Sequence, residues 1–117
     1  MAVQVRRLMK RQDFVDCKLG RRVPTQSFVI QVLEKPEEAG LGVGFTTSSA
    51  AVGNAVARNR ARRRLKAVFD EVCRLNPAAA GQGLWLVIVA KAPILKIEHA
   101  YLLKDMRKAL AEAGVSC

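Results

Sequence analysis

The chain has 117 residues, enough for one ordinary domain, and half of them are hydrophobic, so it can bury a core and is not a disordered segment. Twenty lysines and arginines stand against 10 acidic residues, a formal charge of +10, which points to a polyanionic partner: RNA, DNA or an anionic membrane surface. The longest apolar run, Leu84 to Ala90, falls far short of the roughly 20 residues that span a bilayer, so the charge is not that of a membrane-spanning chain.

Taken in chain order, residues 7–19 predict a short amphipathic helix with Leu8, Val15 and Leu19 on one stripe. Phe14 sits about 100° from that stripe, on a face shared with Lys10 and Lys18. Residues 27–33 predict a strand, residues 34–40 a polar turn, and residues 41–47 a second strand pairing with the first as a hairpin. Gly42 and Gly44 weaken that second strand. Residues 54–75 predict the best helix, with Asn54 as its N-cap and Ala61, Leu65, Val68, Phe69 and Val72 as its apolar stripe. Asn76-Pro77 ends it.

Residues 84–90 are apolar throughout, the pattern of a strand buried on both faces. Residues 98–113 predict the last helix, with Leu102, Met106, Leu110 and Ala113 on its stripe and Gly114 ending it. No repeat, low-complexity segment or dividing linker is visible. The expected architecture is α+β in a single domain over residues 1–117, a small sheet packed with helices in the order α-β-β-α-β-α.

The charge is concentrated. Between Arg58 and Lys66 there are six cations, Arg58, Arg60, Arg62, Arg63, Arg64 and Lys66, and no acid lies between Asn54 and Lys66. On the predicted helix Asn59, Arg60, Arg62, Arg63 and Lys66 point outward, while Arg58 and Arg64 flank the apolar stripe. Like charges at this spacing repel by a few tenths of a kcal/mol per pair, and an anionic partner relieves them. Arginine outnumbers lysine five to one in this stretch. Guanidinium bonds phosphate in a planar, bidentate fashion and stacks on bases, which favours nucleic acid over a membrane surface.

At this helix the chain resembles the bacterial ribonuclease P protein family, whose signature has the form GNxVxRNRxxR. Here it stands as Gly53-Asn54-Ala55-Val56-Ala57-Arg58-Asn59-Arg60-Ala61-Arg62-Arg63. The flanking stretches Leu8 to Phe14, Phe28 to Leu33, Val43 to Phe45 and Leu86 to Lys91 fit the family in order. The resemblance implies an α+β sandwich like that of a ribosomal-protein domain, with a left-handed crossover around the signature helix. It implies a protein subunit acting in 5′ maturation of precursor tRNA, in which a large RNA subunit performs the hydrolysis with Mg²⁺. Asn54, Arg58, Asn59, Arg60, Arg62, Arg63, Arg64 and Lys66 would then meet the RNA subunit. Lys10, Arg11, Phe14, Lys18, Phe28 and Gln31 would lie at a cleft for the single-stranded 5′ leader.

Three departures stand out. The first helix has Val15, Cys17 and Lys18 where the family often has a second aromatic. The strand has Gln31 near a position that is often aromatic. The stretch before the signature, Ser48-Ser49-Ala50-Ala51, lacks a Ser-Lys-Lys common in the family. A cleft with fewer aromatics stacks the leader less strongly, at about 1–3 kcal/mol per stacked base.

Other constellations are thin. The only histidine, His99, reads as a surface helix residue, and Trp85 as a core residue. Cys17, Cys73 and Cys117 are odd in number and widely spaced, which argues for reduced thiols in a cytoplasmic protein rather than for disulfides or zinc. The N-terminus has no apolar stretch of a signal peptide. No catalytic group set, metal site on the chain or protein partner is indicated. The competing readings are a general RNA-binding or ribosomal protein, and a DNA-binding protein.

Overall fold

A computed structural model describes residues 5–8, 10–35, 40–47, 53–75 and 83–114, and the backbone alone of Val5, Arg6 and residues 73–75. The elements in order are β1 (Val5–Arg7), α1 (Arg11–Cys17), β2 (Arg21–Pro24), β3 (Phe28–Glu34), β4 (Leu41–Thr47), α2 (Ala55–Leu75), β5 (Leu84–Ala90), a 3₁₀ turn (Ala92–Leu95) and α3 (His99–Ala113). The architecture is α+β, as the periodicity predicts. The observed order adds β1, β2 and the 3₁₀ turn. Expectations resting on Ser48–Ala51, Asn76-Pro77, Cys117 and the side chain of Cys73 lie outside the described residues.

Among the described residues the strands form one five-stranded sheet in the order β1-β4-β5-β3-β2. The hairpin expected between residues 27–33 and 41–47 does not form. Instead β5 inserts between them, antiparallel to β3 and parallel to β4. The run Leu84–Ala90 supplies the reason. A strand apolar on both faces is satisfied only in the interior of a sheet that is covered on both sides, and that requirement overrides the preference of neighbouring strands to pair. The parallel β4–β5 pair then needs a long connection, which α2 provides.

One face of the sheet carries the main core. Phe28, Ile30 and Val32 of β3, Leu41, Val43 and Phe45 of β4, and Leu86 and Ile88 of β5 pack beneath α2 and α3. Ala61, Leu65, Val68, Phe69 and Val72 of α2 are all buried, as are Leu102, Met106, Leu110 and Ala113 of α3. Each large aliphatic side chain so buried contributes about 1.5–3 kcal/mol. Phe69 meets Phe45 edge to face at 5.6 Å between ring centroids. His99, exposed at the start of α3, makes a 2.9 Å contact with Glu71 of α2.

The other face is covered only in part. Leu8, Cys17, Trp85 and Val87 form a small second cluster, with Phe14, Leu33 and Val89 packed against it. Trp85 is buried as expected, with Lys35 over its ring at 4.5 Å. Here the expected helix over 7–19 is corrected. Only Arg11–Cys17 is helical, and Leu8 is extended, its N–H bonded to the Val43 carbonyl at 2.9 Å. The stripe Leu8–Val15–Leu19 is therefore not the buried one: Val15 is 43% and Leu19 84% exposed. The helix instead turns Phe14 and Cys17, three residues apart, toward the sheet.

Candidate nucleic-acid interface

Two surfaces carry the residues singled out in the sequence, one on α2 and one on the open sheet face. Helix α2 begins at a built cap. The Asn54 side-chain oxygen accepts the Ala57 N–H at 2.9 Å, and its carbonyl accepts the Arg58 N–H at 2.9 Å. Arg58 is half-buried and folds back, donating to the Gly53 carbonyl at 3.0 Å. Asn59, Arg60, Arg62, Arg63 and Lys66 are exposed, on the side of α2 away from its buried stripe. Asn59 and Arg62 approach each other at 3.5 Å, a marginal contact.

Arg64, which flanks the apolar stripe as expected, is half-buried. Its guanidinium donates to two main-chain carbonyls, that of Ile94 and, at 2.7 Å, that of Ile97. Both lie where the 3₁₀ turn leads into α3. The Arg64 guanidinium thus joins α2 to the following segment. Asn54 is committed through its side-chain oxygen to the cap.

The second surface is a groove of about 320 Å³ lined by Phe14, Lys18, Gln31, Thr46, Thr47, Val87 and Val89. Three residues chosen from the sequence, Phe14, Lys18 and Gln31, meet in it. The half-buried Phe14 ring comes so close to β4 that a Cβ at Gly44 would stand 2.8 Å from two of its ring carbons. A Cβ at Gly42 would meet Trp85 at 2.7 Å and Leu8 at 2.9 Å. The two glycines that weaken the strand in the sequence are therefore seats for side chains crossing it.

Phe28 is not part of the groove, which corrects the expectation that placed it there. It is fully buried, on the opposite face, within the core beneath α2 and α3. Strand alternation separates it from Gln31. Lys10 and Arg11 are exposed at the start of α1, outside the residues that line the groove. Thr46, Thr47, Val87 and Val89 were not singled out in the sequence. Alternation along each strand would have put Thr46, Val87 and Val89 on one face, with Thr47 joining them only as the last residue of β4, but which strands lie side by side had to be known first.

Cys17, at the end of α1, is completely buried. Burial pushes its thiol up to about 11, with Asp13 and Asp16 adding to the effect. It is an inert apolar contact rather than a nucleophile. Among the described residues no group of three or more His, Cys, Asp or Glu side chains is placed to hold a metal ion.

The comparisons with known proteins converge. A family model described as Ribonuclease P matches residues 3–114. The chain belongs to the ribonuclease P protein family. It is 37% identical to the ribonuclease P protein component of Gluconacetobacter diazotrophicus over 98% of this chain and 97% of that one. It is 36% identical to that of Paramagnetospirillum magneticum over 97% of this chain and 86% of the other. The fold matches the RNase P protein of Staphylococcus aureus with a TM-score of 0.77 at 21% identity, covering 97% of this chain and all of that one. The RNase P protein of Thermotoga maritima matches with a TM-score of 0.69 at 19% identity, covering 91% and 96%. The chain is accordingly a ribonuclease P subunit, part of an endoribonuclease of tRNA 5′ processing.

Proposed function

We propose that this subunit binds its RNA partner through the exposed face of α2 and the 5′ leader of precursor tRNA in the groove beside Phe14. The observation that carries the reading is the separation of roles on α2. Arg60, Arg62, Arg63 and Lys66 are exposed together on a rigid helix whose other side is locked into the core. Such a face recognises phosphates by position and charge, with Arg forks adding geometry. The groove combines one aromatic ring, one cation and the polar side chains Gln31, Thr46 and Thr47, which suits an unpaired strand. Duplex would not expose bases to the Phe14 ring.

On this reading the chain supplies binding and orientation. Mg²⁺ would supply its chemistry on the RNA subunit, which performs the hydrolysis. The partners are the ribonuclease P RNA and precursor tRNA, in a single-domain cytoplasmic protein. No helix among the described residues is long and apolar enough to cross a membrane.

The test is reconstituted cleavage of precursor tRNA by a bacterial ribonuclease P RNA at low Mg²⁺, with and without this protein. An unrelated protein of equal charge controls for simple screening. Restoration by the wild type but not by the control, and its loss with Arg60→Ala plus Arg63→Ala, is expected. Equal restoration by the control replaces the reading with that of a general RNA binder.

A further inference from the structure

The register of the sheet carries the groove one strand further than its lining. Gly44, beneath the Phe14 ring, lies opposite Val87. Val87 lies opposite Gln31, and Gln31 lies opposite Arg22 of β2. Residues opposite one another on paired strands project from the same face. Val23, the next residue, is buried in the core on the other face, which confirms the alternation at this edge. Arg22 is exposed. Its neighbour Arg21 turns the other way and donates to the carbonyls of Glu112 and Ala113 at 3.4 and 3.1 Å, closing the end of α3. Of the two adjacent arginines, one is bound to the fold and the other stands at the end of the row that begins under Phe14.

We propose that Arg22 is a phosphate-binding residue for the single-stranded leader, making the row Phe14–Val87–Gln31–Arg22 one continuous track across the sheet. The proposal rests on the reading of the groove as the leader site. Three strand spacings of about 4.8 Å separate Gly44 from Arg22, or about 14 Å, which is roughly four nucleotides at a stacked rise of 3.4 Å and fewer when the strand is stretched. Charge also favours it. Helix α1 and its two caps carry Lys10, Arg11 and Lys18 but also Asp13 and Asp16, so their contribution is close to balanced, and Arg22 adds a cation with no acid beside it in β2. With a single aromatic platform in the groove, backbone contacts must supply more of the leader affinity. The competing role of Arg22 is to keep the edge of β2 from pairing with another chain, which charged residues on edge strands commonly do.

The experiment uses the reconstituted holoenzyme, with Arg22→Gln and Phe14→Ala, on leaderless, short-leader and long-leader precursor tRNA over a range of salt. For Arg22→Gln the expected result is unchanged affinity without a leader. With a long leader, affinity falls by about threefold to tenfold, the size of one partly solvated charge contact. The leader-dependent salt slope becomes shallower by about 0.7, the value for one phosphate of a single strand. No loss, equal loss on leaderless substrate, or loss with an unchanged slope overturns the proposal. Phe14→Ala separates the two levels. If it weakens leader binding while Arg22→Gln does not, the groove stands and the track to Arg22 falls. If it leaves the leader contribution intact, the groove reading itself falls.

Discussion

Arg64 and Arg63 are neighbours of identical chemistry in different surroundings, Arg64 half-buried against two carbonyls and Arg63 exposed. Arg64→Leu leaves the carbonyls of Ile94 and Ile97 without their donor, and the expected loss is about 1–3 kcal/mol of stability in denaturant unfolding. The slope of RNA affinity against salt should stay unchanged. Arg63→Leu should do the reverse, with stability within about 0.5 kcal/mol of wild type and a salt slope shallower by about 0.9. Gly44 is the other residue whose side chain, by being absent, shapes the site. Gly44→Ala places a methyl against the Phe14 ring, at a spacing no packed carbon tolerates, and should cost about 1–3 kcal/mol in thermal or denaturant unfolding. Leader affinity should fall with it, as the ring is lifted from the strand.

Cys17 gives a pH dependence with a definite sign. Its thiol titrates near 9.0 when unfolded and near 11 when folded, so the folded chain holds the proton longer. The stability this contributes is fully present below about pH 9 and is lost as pH rises toward about 11. Denaturant midpoints measured across that window should fall less steeply for Cys17→Ala than for wild type. Equal slopes would show that the thiol is not the group responsible.

At the scale of the element, α2 is a helix loaded with like charge that holds together because its other side is buried and its start is capped. Asn54→Ala removes the bond to the Ala57 N–H and should cost about 1 kcal/mol, measurable by chemical denaturation, while Asn54→Gly should cost only a few tenths. Helix α1 is the opposite case. Seven residues are too few to be stable alone, so its position depends on Phe14 and Cys17 docking on the sheet. That dependence explains why its periodicity misled. With so short a helix, Val15 and Leu19 are left exposed, and Leu8 joins the cluster from an extended segment.

At the scale of the molecule, the sheet divides labour between its faces. One is closed by α2 and α3 and supplies the stability. The other is left partly open and supplies a groove. The cationic side of α2 completes the arrangement, and four exposed cations there, at about 0.9 per phosphate contact, predict a slope of about −3.6 in log affinity against log salt for the RNA subunit. A titration between low and moderate salt measures it directly. A slope near −1 would mean that most of these side chains do not meet phosphates.

The amino-acid sequence alone determined the elements with long, regular patterns: β3, β4, α2, β5 and α3 stand within a residue of their expected bounds. It also determined the family, through a signature of chemically demanding residues, and the face of α2 that carries charge. Periodicity suffices for these because each depends on spacing within one segment. Pairing between segments does not. The insertion of β5 between β3 and β4, the seating of Phe14 on Gly44 and the meeting of Gln31 with Thr46, Thr47 and Val89 depend on which strands are neighbours. The same limit misplaced Phe28 and left the partners of Arg64 undecided. A phenylalanine in a strand and an arginine beside an apolar stripe each have two sides to turn to, and only the packed structure decided that one entered the core and the other bound the carbonyls of Ile94 and Ile97.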